Sequence, residues 1–132
     1  MKVLIAMPAG DYWLGDPCYA IPNKKWGAFV NKLFAAADGS CGNFADGVVA
    51  FGTQWGDGTY KDQHGREFPV DAGLIGLVPI EKSIKKPVGM TRVSWDAPII
   101  CERHDDGTLV FGDVTIYTDA HCDEEGWSES TA

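Results

Sequence analysis

The chain has 132 residues, 45% of them apolar, enough for a single domain to build a core without metal or disulfide staples. Its net charge of −8 and pI near 4.6 argue against binding a nucleic-acid backbone, which needs clustered Lys and Arg. No apolar run approaches the roughly 18 to 20 residues of a membrane span, and Met1 to Met7 is too short for a secretory core. Cys18, Cys41, Cys101 and Cys122, with no export signal, are therefore expected to be reduced thiols in a cytoplasm.

Residues 2 to 7 read as a first strand. Two short extended pieces are expected around the Gly15-Asp16-Pro17 corner, where Pro17 biases Asp16 to an extended backbone and so aims its side chain. A helix follows. Trp26, Phe29, Val30, Leu33 and Phe34 form one apolar stripe that Ala37 extends, with Asn23 as N-cap and Asp38-Gly39 as stop. Lys24 and Lys25 oppose the helix dipole at that end. After a glycine-rich connection, residues 47 to 51 form another strand.

Residues 53 to 80 carry the densest information, five glycines and two prolines set among β-forming side chains. Asp62-Gln63-His64-Gly65 suits a hairpin turn closed by a left-handed glycine. Leu74 to Val78 is apolar throughout, the pattern of a strand covered on both faces, and Gly76 within it marks a bulge or a neighbour packed on bare backbone. Pro79 ends its pairing. Residues 81 to 90, with Lys82, Lys85 and Lys86, read as a surface loop. Strands at 92–95, 99–103, 108–111 and 114–117 follow, with His104-Asp105-Asp106-Gly107 repeating the chemistry of the first hairpin. The fold class expected is α+β: one domain over residues 1–122, a mostly antiparallel curved sheet or partial barrel of six to nine strands, covered by one amphipathic helix. Residues 123–132 read as an acidic flexible tail.

As a set, Gly15-Asp16-Pro17-Cys18-Tyr19, Trp26, Gly56-Asp57-Gly58 with Tyr60, and Val70-Asp71-Ala72-Gly73 with Ile75-Gly76 and Pro79 resemble a group of small uncharacterised proteins encoded by bacteriophages and by bacteria carrying phage genes. The resemblance covers roughly residues 13 to 80; the remaining third carries no matching pattern. It implies a phage-type accessory protein in the bacterial cytoplasm. It brings no residue roles with it.

Four kinds of chemistry come into question. Asp16, Asp57 and Asp71 all lie beside Gly or Pro at strand ends; together they could hold a divalent cation or a water, or each could close its own turn. The aromatics Tyr12, Trp13, Tyr19, Trp55 and Tyr60 beside these turns could wall a pocket for a nucleotide-like ligand or form the outer layer of the core. Cys101-x-x-His104 and His121-Cys122 have zinc-binding residue types, but on strands both pairs diverge. Cys18 is a poor nucleophile beside Asp16, which raises its pKa. The expected function is a phage-type binding protein that inhibits or sequesters a host or defence component. Its ligand-binding residues would be Asp16, Tyr19, Trp55, Asp57, Tyr60 and Asp71, with no cofactor, no catalytic residue and no metal. Its partner is a small nucleotide-like molecule or a basic protein, with no nucleic acid and no membrane. A metal-assisted hydrolase using the aspartates and a small virion component are the alternatives.

Overall fold

The computed structural model describes residues 3–35 and 42–118. Among these the chain runs through β1 (Val3–Met7), β2 (Gly10–Gly15), α1 (Asn23–Ala35), β3 (Gly42–Ala45), β4 (Val48–Gly52), β5 (Gly58–Asp62), β6 (Glu67–Val70), β7 (Leu74–Pro79), β8 (Thr91–Trp95), β9 (Ile99–Arg103), β10 (Thr108–Phe111) and β11 (Val114–Tyr117). They form two sheets, one in the order β1-β9-β10-β11-β5-β6 and the other β3-β4-β7-β2-β8. All the pairings are antiparallel. The α+β class holds: the protein is mostly antiparallel sheet with one helix, its strands divided between two stacked sheets that do not close into a barrel. The strand count, eleven among the described residues, exceeds six to nine.

The layers follow from side-chain alternation. In the six-stranded sheet, β10 and β11 alternate buried with partly or fully exposed residues, as expected when one face is covered and the other meets solvent. Its covered face packs on the five-stranded sheet through Met7, Tyr60, Phe68, Leu109, Phe111 and Ile116 against Tyr12, Leu14, Phe51, Ile75 and Leu77. The far face of the five-stranded sheet carries Val48, Ala50, Leu74 and Val78 and meets Phe29 and Leu33 of α1. β4 and β7 lie in the middle layer, so both are buried along most of their length, and the unbroken apolar run at 74–78 has its physical cause.

Gly76 is the point where this layer is tightest. It pairs with Ala50 on one side and Gly15 on the other. An added Cβ would run into the Val49 carbonyl oxygen and lie 2.7 Å from the Ala50 Cα. A neighbour on bare backbone, rather than a bulge, explains this glycine.

The hairpin at 62–65 forms as read. Gly65 N donates to Asp62 O at 3.0 Å, and Gly65 takes φ +83. The Asp62 carboxylate, shielded from solvent, accepts from His64 N, Arg66 N and Arg66 Nε, the last at 2.6 Å. Its counterpart at 104–107 uses Asp106, whose carboxylate accepts from Thr108 N.

Three local readings need correcting. The piece after Asp16 is not extended: Pro17–Tyr19 is a 3-10 turn, because the Asp16 side chain accepts from Cys18 N and closes the chain on itself. The glycine-rich connection contains an unforeseen strand, β3, an edge that borrows its order from β4 through the Asp46-Gly47 turn. Trp26 is only partly buried, so the helix is anchored by Phe29 and Leu33, 5% and 0% exposed. The expected Asp38-Gly39 stop, the residues His121 and Cys122, and the tail lie outside the described residues. No described helix is long and apolar enough to cross a membrane.

Candidate functional site

Asp16 sits at the end of β2, completely buried. Its backbone is extended at φ −74, ψ 120, the geometry that Pro17 imposes on its predecessor. One carboxylate oxygen accepts from Cys18 N at 2.9 Å, the other from Asp71 N at 2.8 Å and Ala72 N at 2.6 Å. The bond from Cys18 N closes the 16–18 corner, and the two from Asp71 N and Ala72 N tie it to the crossing from β6 to β7. This carboxylate is occupied from within.

The neighbouring loop is stitched by similar means. Tyr60, fully buried, donates its hydroxyl to Gly56 O at 2.9 Å, and Thr53 Oγ1 donates to the same oxygen at 2.6 Å. Thr53 N donates to Gly73 O at 3.0 Å, which sets residues 53–58 beside residues 71–73. Asp57 and Asp71 therefore occupy adjacent loops, both exposed, and Trp55 is 55% exposed nearby. Tyr19 is half-buried, its ring close to Gly89. Burial, then Asp71, Cys18 and Asp16, push the Tyr19 hydroxyl up to about 12.

The three aspartates thus share a neighbourhood, Asp16 bonded to backbone amides and Asp57 and Asp71 exposed on the adjacent loops. Among the described residues no three His, Cys, Asp or Glu side chains gather in a group that could hold a metal ion. Burial and then Asp16 push the Cys18 thiol up to about 12, and burial does the same to Cys101, so neither is primed as a nucleophile. Cys101 points into the core, while His104 contacts Glu102 at 2.9 Å. Tyr12 is buried as well, donating its hydroxyl to Pro8 O at 2.7 Å.

A cleft of about 720 Å³ lies elsewhere, on the helix side of the molecule. Its walls come from the first turns of α1, the β3–β4 turn and the short 3-10 turn at Ile80–Lys82. Ile21, Phe29, Val48 and Ile84 make an apolar floor; Lys24, Lys25, Lys32 and Lys82 stand around it with Asp46 and Glu81. Lys32 bridges to Asp46 at 3.3 Å, an exposed pair that contributes little to stability. The opposing wall is pinned by Ile84 N donating to Ala20 O at 2.8 Å.

The cleft's charge stands out against the whole chain. Four of the eight lysines, at 24, 25, 32 and 82, line it, and Lys85 and Lys86 follow Lys82 closely in the chain, in a protein of net charge −8. None of the six residues singled out from the sequence lines this cleft. The signal that could have found it was legible: two lysine clusters, one misplaced at a helix N-terminus. Their meeting in space was not, because some fifty residues and five strands separate them.

Compared with protein-family models, with curated proteins and with solved structures, the chain finds no match.

Proposed function

We propose that the protein is a binding protein that captures a small, anionic, nucleotide-like ligand in the lysine-walled cleft. One observation carries this reading: the lysines of an acidic chain are concentrated around an apolar-floored cleft whose volume, about 720 Å³, lies within the roughly 300 to 1,000 Å³ of small-ligand pockets. Lysine ammoniums attract phosphate as point charges, and the floor of Ile21, Phe29, Val48 and Ile84 offers an apolar surface to a base or ring. An extended nucleic-acid backbone would meet the net charge of −8 and be repelled, whereas a small anion is held locally. Read with the resemblance to phage-encoded proteins, such capture is an accessory role in a host bacterial cytoplasm: sequestering a nucleotide on which host or defence machinery depends.

Isothermal titration with ADP and with uncharged adenosine tests this. ADP binds and adenosine binds at least tenfold more weakly; ADP affinity falls as salt rises from 50 to 300 mM, about the range over which surface attraction is screened. Replacing Lys24, Lys25, Lys32 and Lys82 by Gln abolishes binding. Equal affinity for adenosine and ADP, or full binding by the lysine variant, would overturn the proposal.

A further inference from the structure

The lysine-walled cleft has a neighbour. A second cleft, of about 320 Å³, shares Glu81 and Lys82 with the first and is otherwise lined mainly by apolar groups, among them Met7, Tyr12, Phe44 and Pro79. Phe44 lies on the edge strand β3 and is 46% exposed, so the second cleft has a flat aromatic surface on which a ring can stack. Asp11, also in its lining, is engaged by Ser94 Oγ at 2.5 Å and by Arg92 at 3.4 Å, which offsets its charge against an anionic ligand.

The β3–β4 turn separates the two compartments, with Asp46 lining the first and Gly47 the second. Gly47 takes φ +80, and a Cβ built there would come within 3.1 Å of Lys82 Cε and 3.6 Å of its Cδ. A residue without a side chain at this position leaves room for the Lys82 side chain, which lines both compartments.

We infer, resting on the anion-binding reading above, that the ligand is bipartite: negative charge at its centre, held by Lys82, with a ring system in each cleft. Dinucleotides have this chemistry. A mononucleotide carries its charge at one end and fills only one compartment, whereas a linked second ring binds the second cleft at the high effective concentration its tether provides.

Titrating the intact chain with ADP and with diadenosine diphosphate separates the two readings. Diadenosine diphosphate binds at least tenfold tighter than ADP although it carries less charge. Phe44→Ala, whose fold is checked by its melting temperature, weakens diadenosine diphosphate at least fivefold and leaves ADP unchanged. Lys82→Gln weakens both. If ADP binds and diadenosine diphosphate binds no tighter, or if Phe44→Ala weakens neither or both alike, the bipartite ligand is wrong and the single-cleft reading survives. If neither nucleotide binds, both readings fall together.

Discussion

The aspartate corner and the lysine-walled cleft have opposite relations to solvent. At the corner, a carboxylate is fully buried and accepts from three of the protein's own backbone amides. At the cleft, the charged groups stand in solvent around an apolar floor, and the Lys32–Asp46 contact is exposed on both sides. A buried charge satisfied from within is committed to holding the chain together; exposed like charges facing one concavity add little to stability and are available to a ligand. The motif-dense stretch from 53 to 80 is thus the scaffold, and the plain-looking lysines are the better candidates for binding.

The largest expected effects break the scaffold. Gly76→Ala drives a methyl into the Val49 and Ala50 backbone of an adjacent central strand, which cannot swing aside as a side chain could; it should cost at least about 3 kcal/mol. Asp16→Ala leaves three backbone amides without their buried acceptor and should cost about 3 to 5 kcal/mol, lowering the melting temperature by more than about 10 °C. An Asp16→Ala protein that melts like wild type but has lost its ligand would break the comparison, by making the corner a binding site.

Asp62→Ala is smaller, about 1.5 to 3 kcal/mol in urea unfolding, because the hairpin it closes lies at the surface. Burial works against the Asp62 carboxylate, but the bonds from Arg66 and His64 outweigh it and hold its pKa below the usual value. A lowered folded pKa stabilises above the unfolded value and is lost as pH falls, so this part of the stability disappears below about pH 4, and the acid limb of a urea-midpoint profile should flatten in Asp62→Asn. The alkaline limb has the opposite sign. Cys18, Cys101 and Tyr19 are all pushed up to about 12, so their contribution is intact below the ordinary thiol and phenol range and is lost as pH climbs towards 12. The urea midpoint should decline steadily above about pH 9.

The smallest stability effects are expected at the cleft, where each Lys→Gln substitution should change stability by no more than about 0.5 kcal/mol. A melting temperature that collapses on replacing Lys24 or Lys25 would sharpen the comparison differently, by giving these side chains a structural role at the start of α1.

How far these two regions could be read in advance follows from the range of the interactions. The 62–65 hairpin and the doubly covered strand at 74–78 are written in adjacent residues, and pattern suffices; at Gly76 pattern leaves a bulge and a close neighbour both open, because the neighbour is Ala50 on another strand. The direction of Asp16 is legible for the same reason, through Pro17, but its partners Asp71 and Ala72 are 55 and 56 residues away. That distance hides whether the carboxylate faces a ligand or an amide. β3 is invisible because Gly42 and Asn43 have no strand preference of their own, and only pairing with β4 orders them. The cleft is hidden most thoroughly, since its walls come from three separate segments whose residues are individually ordinary.

The most direct test of the whole account is a thermal-shift measurement with ADP on three proteins: wild type, the quadruple Lys24, Lys25, Lys32 and Lys82→Gln variant, and the Asp57→Asn, Asp71→Asn double variant. A ligand at a hundred times its dissociation constant adds about 2.7 kcal/mol, several degrees for a domain of this size. The account predicts that the lysine variant melts near wild type and loses the shift, while the aspartate variant keeps it. A shift that survives in the lysine variant and vanishes in the aspartate variant would contradict it and return the binding site to the 53–73 loops.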